Sequence, residues 1–212
     1  FNKYSTPLLK RKSNMTKALQ ISVLLIAFAI LQAYSQTTEP LRQKIQSIIS
    51  GKNAIVGVSI IGNNGHDTLT VNADRHYPMQ SVFKFHIALA VLSQIDRGKL
   101  SFDQKVKIEK KDLLPNLYSP LREEHPNGAV LTISKILEYT VSQSDNVGCD
   151  VLLRLVGGTK VVEDFFKDNN FNDIAIKVNE EQQQGNWELQ FLNWTTPKAA
   201  NQALEAFYSN TE

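Results

Sequence analysis

Residues 81–95 read SVFKFHIALAVLSQI, and the rest of the chain has to be organised around them. Val82, Phe83, Phe85, Ile87, Leu89, Val91, Leu92 and Ile95 are apolar on every side of a 3.6-residue helix, which Gly98 stops. A helix apolar all round belongs at the centre of a domain. Lys84 breaks the pattern, and an unpaired ammonium in such a place is costly. Ser81 stands three residues before it, so the two side chains share one face of the helix start. A helix N-terminus offers positive potential and unpaired N–H groups to an anion forming at a serine. A lysine held there, partly desolvated, can release its proton and then take one from the hydroxyl. With 15 Ser and 17 Lys in 212 residues, about one S-x-x-K arises by chance, so the spacing alone does not distinguish a nucleophile from a helix-start serine.

Outward from this helix, Leu41, Ile45, Ile48 and Ile49 recur at helical spacing up to Gly51. Residues 54–61 are β-rich, Asn63-Asn64-Gly65 is a turn signal, and residues 67–72 are β-prone again, which predicts a helix followed by a hairpin. Helices are predicted over residues 132–142, 145–156, closed by Gly157-Gly158, and 159–167. Another runs from the Thr196 cap and Pro197 through Tyr208. Residues 177–194, rich in Gln and Asn, read as a long loop. Two strands do not make an independent sheet, and no later stretch reads as strand. The expectation is therefore a mixed α/β layered domain (α+β), with a helical part and an antiparallel sheet of which only the N-terminal hairpin is present; further strands would lie beyond residue 212.

The chain carries 23 Lys and Arg against 21 Asp and Glu, a formal +2. Five of those cations stand in residues 1–35, which hold no acid, so residues 36–212 carry 18 cations against 21 acids. A mildly acidic body argues against a nucleic-acid partner. Residues 18–31, ALQISVLLIAFAIL, follow Lys17 and precede Ala33 and Ser35, the pattern of a secretory leader over residues 15–35 cut after Ser35. The run is short of the roughly 20 apolar residues of a span and is interrupted by Gln20 and Ser22, so a membrane anchor is the weaker reading. Residues 1–14 precede Met15 and read as non-native upstream sequence. A single cysteine, Cys149, excludes an internal disulfide framework and reads as a small buried hydrophobe. The histidines His66, His76, His86 and His125 lack metal-ligand spacing, and Lys105, Lys107, Lys110 and Lys111 read as a solvated face.

Ser144-Asp145-Asn146 lies at the junction of two predicted helices, where each of the three is also a good N-cap. Alone it reads as a cap. S-x-x-K followed by S-D-N is the combination of penicillin-recognising serine enzymes. Residues 77–84 (YPMQSVFK), 144–150 (SDNVGCD) and 152–158 together resemble a class A β-lactamase, most closely the branch of the PER-type extended-spectrum enzymes. The similarity runs from about Leu41 to the last residue.

This resemblance implies Ser81 as the acylated nucleophile, Lys84 as its proton partner and Ser144 as the proton relay to the leaving nitrogen. It implies Asn146 as a ligand of the substrate's side-chain amide and Tyr118 as an aromatic wall of the cleft. The carboxylate that activates water would lie in Asn179-Glu180-Glu181; Val178-Asn179-Glu180 fits the family segment best and points to Glu180, with Glu181 as its rival. Three positions depart from the usual pattern. Glu181 stands where most of the class has proline, Gln184 where an asparagine is usual, and Asp150 where many members have asparagine, although the PER-type branch also has Asp. The K-T-G or K-S-G triplet is absent and is expected past residue 212. The implied protein is a periplasmic, monomeric serine β-lactamase. It would take a small β-lactam substrate and need no cofactor, metal, nucleic acid or membrane partner. A D-Ala-D-Ala peptidase shares both motifs but lacks the glutamate loop. A non-hydrolysing β-lactam sensor would need further membrane helices.

Overall fold

The computed structural model describes residues 38–209. The expected leader at 15–35 and the upstream residues 1–14 lie outside them. The chain divides into two compact units at residues 71 and 72.

The first unit holds helix α1 (residues 38–50) and an antiparallel hairpin of β1 (Val58–Gly62) and β2 (Asp67–Val71). The strands pair from Val58 opposite Val71 to Gly62 opposite Asp67, and Asn63–Gly65 form the turn. The covered stripe of α1 falls at residues 38, 42, 45 and 49, so Ile45 and Ile49 are half-buried as the spacing predicts. Leu41 and Ile48 are exposed instead, because Arg42 takes the covered position and donates to the Thr70 carbonyl.

In the second unit α2 (Phe83–Asp96) is the axis, and no residue from Phe83 to Ile95 is exposed. Around it stand α4 (Ile133–Ser142), α5 (Asn146–Val156), α6 (Thr159–Asp168) and α8 (Pro197–Ser209), with the short α3 (Pro120–Glu124) and α7 (Glu180–Gly185) beside them. One core joins Phe83, Ile87 and Val91 to Ile136, Leu152, Val162, Phe166 and Ala203. The helix starts match the caps in the sequence. Thr132 accepts from the Lys135 N–H at 3.2 Å, Asp145 from the Gly148 N–H at 2.7 Å and Thr196 from the Ala199 N–H at 3.1 Å. Gly157, at φ 108°, closes α5 in the left-handed conformation. Gly148 lets α5 approach α4, since a Cβ there would lie 2.7 Å from Thr140 Oγ1.

Two further points differ from the sequence reading. The described residues hold five more strands: β4 (Lys105–Ile108) pairs with β5 (Ala129–Thr132), and β7 (Trp194–Thr195) lies between β3 (Tyr77–Pro78) and β6 (Ile174–Ala175). Two-residue strands carry no period, and KVKI reads as a charged face because its lysines point to water. The stretch 177–194 is also not a plain loop, because it contains α7, a 3-10 turn over Trp187–Leu192 and the strand β7.

Candidate functional site

Strand β3 leads into a 3-10 turn, Gln80–Val82, from which α2 starts. The turn leaves Ser81 exposed, while Lys84, one helical turn on, is only 2 % exposed. An ammonium has three N–H donors. Lys84 Nζ spends them on three acceptors: Ser81 Oγ at 3.1 Å, Asn146 Oδ1 at 2.8 Å, and Glu180 Oε1, with which it forms an ion pair. The charge that made Lys84 anomalous in an apolar helix is fully satisfied.

Ser144 lies between α4 and α5 with a left-handed φ of 56°, and its hydroxyl donates to Ser81 Oγ at 2.8 Å. The neighbouring Asp145 is fully buried. Its carboxylate accepts from Ser119 Oγ at 2.9 Å, from the Leu121 N–H at 2.7 Å and from the Gly148 N–H. The Asn146 N–H donates to the Tyr118 carbonyl at 3.0 Å. These bonds lock the Tyr118–Leu121 segment to the start of α5 and keep Tyr118 next to Asn146, with its ring 59 % exposed.

Glu180 is the first residue of α7. Asn179 caps that helix, accepting from the Gln182 N–H, while the Gln182 side chain accepts from the Asn179 N–H. Asp150, on α5, accepts from the Glu180 N–H at 2.8 Å and the Glu181 N–H at 3.0 Å. Burial pushes the Asp150 carboxyl up from 3.8 to about 6, against the pull of those two bonds. Glu181 itself is exposed, whereas Glu180 turns inward to Lys84. The neck of the loop is held by Asn193, which is fully buried. Its Oδ1 accepts from the Lys177 N–H at 2.8 Å and the Val178 N–H at 3.1 Å, and its Nδ2 donates to the Val178 carbonyl at 2.9 Å. Its own carbonyl accepts from the Met79 N–H at 2.9 Å. One asparagine thus joins the glutamate loop to the serine turn.

Ser81, Lys84, Ser144, Asn146 and Glu180 converge in one hydrogen-bonded group, and Tyr118 joins it through its backbone. Cys149 is buried beside them, and burial pushes its thiol well above the usual range, so it is no nucleophile. Sequence reading missed Asn193, the Ser119–Asp145 hub and Gln190, whose Oε1 accepts from Gln80 Nε2 next to the serine. The available signal was weak: an Asn or Gln in a polar loop looks like any other. Among the described residues no group of three His, Cys, Asp or Glu is placed to hold a metal ion, and no helix is long and apolar enough to cross a membrane.

The model of the β-lactamase enzyme family matches residues 40–212. The chain is 51% identical to the β-lactamase VEB-1 of Pseudomonas aeruginosa over 196 residues, covering 92% of this chain and 65% of that protein. It is 34% identical to the extended-spectrum β-lactamase PER-1 of the same organism, covering 90% and 62%. Among solved structures, the TLA-1 extended-spectrum β-lactamase superposes with a TM-score of 0.79 at 46% identity, covering 82% of this chain and 63% of that one. The chain therefore spans a little under two thirds of the length of these relatives.

Proposed function

The chain belongs to the β-lactamase enzyme family, and from that premise we propose that the protein opens the β-lactam ring of penicillins and cephalosporins through an ester on Ser81 and then hydrolyses the ester. The observation that carries the assignment is the buried Lys84 ammonium, which touches Ser81, Asn146 and Glu180 at once. In the first half-reaction Glu180 takes a proton from Lys84, whose freed amine takes the proton of Ser81. Ser81 Oγ bonds to the lactam carbonyl carbon. The C–N bond breaks as Ser144 gives its proton to the ring nitrogen, Lys84 passes the proton it took from Ser81 to Ser144, and Glu180 returns its proton to Lys84. In the second half the ionised Glu180 takes a proton from water, the water oxygen bonds to the ester carbon, the bond from that carbon to Ser81 Oγ breaks as Lys84 gives Ser81 Oγ a proton, and Glu180 passes the proton from water on to Lys84. Asn146 offers its amide to the substrate's side chain, and Tyr118 walls the cleft. Glu180 and not Glu181 fills the base role, since only Glu180 reaches Lys84. The same reading has the leader cut after Ser35 and a monomer working in the periplasm without metal or cofactor.

Intact-mass spectrometry of the full-length protein mixed with a chromogenic cephalosporin tests the proposal. The expected result is turnover with a transient adduct on Ser81. In Glu180→Gln the adduct should persist, its hydrolysis slowed by a factor on the order of 10² or more. No adduct on Ser81 overturns the assignment. A permanent adduct in the unaltered protein points instead to a peptidase or a sensor, and trapping by Glu181→Gln moves the base to Glu181.

A further inference from the structure

The serine turn and the glutamate loop meet at a second place besides Asn193. Gln80, immediately before Ser81, has a φ of 46°. That left-handed region is one a glutamine occupies only where its surroundings hold it. Its exposed side chain donates through Nε2 to Gln190 Oε1. Gln190 is half-buried in the 3-10 turn, and its own Nε2 donates to the Trp187 carbonyl at 2.9 Å, so its amide is fixed at both ends. The backbone angles of Gln80 set the plane of the peptide that carries the Ser81 N–H. That N–H stands at a helix start, where backbone donors lack intrahelical acceptors. When Ser81 Oγ bonds to a carbonyl carbon, the oxygen that becomes negative develops next to it.

We propose that Gln190 is a positioning residue for acylation: through Gln80 it holds the peptide before Ser81 in the orientation that presents the Ser81 N–H to the developing oxyanion. This rests on the reading of Ser81 as the nucleophile. It assigns to the loop that carries Glu180 a part in the half-reaction that Glu180's water does not enter. Glu180 keeps its own anchors, Lys84 and Asp150, when the Gln80–Gln190 contact is lost. Releasing the latch therefore acts through the oxyanion, which forms on the same carbonyl oxygen when Ser81 adds and again when water adds, and not through the placement of Glu180.

The test measures acylation and ester hydrolysis separately, by rapid-mixing intact mass of the full-length protein with a chromogenic cephalosporin. Gln190→Ala should slow acylation and ester hydrolysis alike, each roughly three- to tenfold, the worth of one such hydrogen bond, with the unfolding midpoint unchanged. Gln190→Glu, which keeps the acceptor for Gln80 but loses the donor to the Trp187 carbonyl, should recover part of the rate. Gln80→Ala should match Gln190→Ala, and the double variant should be no slower than the slower single one. Additive losses, unchanged acylation, or slowed hydrolysis with intact acylation would each overturn the proposal while leaving the functional reading in place. An unaltered protein that forms no adduct on Ser81 would overturn both.

Discussion

Asp150→Asn separates the stability of this protein from the order of its glutamate loop. Burial raises the Asp150 carboxyl from 3.8 to about 6. At 1.36 kcal/mol per tenfold, the ionised form costs the folded state about 3 kcal/mol against the neutral acid. Partial exposure of the side chain trims this to about 1–3 kcal/mol. The folded pKa lies above the unfolded one, so the folded state binds the proton more tightly. Stability is then highest below 3.8 and falls as pH rises through about 6. Asparagine never ionises, so the variant escapes this penalty, and its stability relative to the unaltered protein should rise by about 1–3 kcal/mol between pH 4 and pH 7–8. The loop responds in the opposite sense. The carboxylate accepts from both the Glu180 and Glu181 N–H groups, whereas an amide has one oxygen for two donors. One charge-assisted bond, worth about 1.5–3 kcal/mol, is lost at the first turn of α7. Ester hydrolysis should therefore slow by roughly ten- to a hundredfold in the variant. Urea unfolding at pH 4 to 8, paired with intact-mass decay of the Ser81 adduct, reads both effects. A stability difference between the two proteins that does not change from pH 4 to pH 8 refutes the reasoning. The comparison must be between proteins at each pH, because His86 tilts the unaltered profile the other way.

Two further perturbations follow from the same contacts. His86 is fully buried; its Nδ1 must carry the hydrogen, 3.1 Å from the Val82 carbonyl, while its Nε2 has no partner, and burial holds the ring down from 6.5 to about 4. Its neutral form supports the fold fully above 6.5, and that support, up to about 3 kcal/mol, is lost as pH falls through 4; His86→Leu should flatten this acid slope in urea unfolding, and an unchanged slope would exclude His86 as its source. Asn193→Ala strands two N–H groups and a carbonyl at the loop neck and should cost on the order of 3 kcal/mol or more, whereas Asn193→Asp keeps both acceptor bonds and should cost less. Equal losses in the two Asn193 variants, by urea unfolding at pH 7, would show that the neck does not depend on those bonds.

The helical half of the fold was legible because its signals are local. Thr196 caps the helix it was expected to cap, Asp145 is the cap among the three candidates at 144–146, Thr132 stands at the expected helix start, Gly157 ends α5, and the apolar residues on all sides of 82–95 do place α2 at the centre of the second unit. The hairpin was legible for the same reason, with Asn63-Asn64-Gly65 turning between two β-prone runs. What escaped was set by partners distant in sequence. Thr195 is a strand residue because Tyr77 and Ile174 lie opposite it, and nothing within Trp194–Thr195 announces either. The α1 face was misplaced by one position on the helix because Arg42 found the Thr70 carbonyl across the unit, a pairing no periodicity contains.

The site divides along the same line, and Lys84 shows where the boundary falls. Its proximity to Ser81 needs only the pitch of a helix, so that pair was readable from the residues alone. Its burial was readable too, from the apolar residues on all sides. A buried ammonium with three donors demands three acceptors, and at least one should be anionic to offset the charge. Ser81 could be one. The sequence therefore implied that a carboxylate must arrive from elsewhere, but not which of the 21 Asp and Glu it would be. Resemblance pointed to Glu180 as the carboxylate that activates water; that Glu180, 96 residues away, is also the anion of Lys84 is visible only in the folded chain. Asp150 seats the first turn of α7, Asn193 closes the neck, and Glu180 is the residue of that turn which faces Lys84. Asparagine and glutamine do this positioning because a single amide both accepts and donates. That versatility lets Asn193 bind an N–H and a C=O at once, and it is also why such a residue leaves so faint a mark in a polar stretch of sequence.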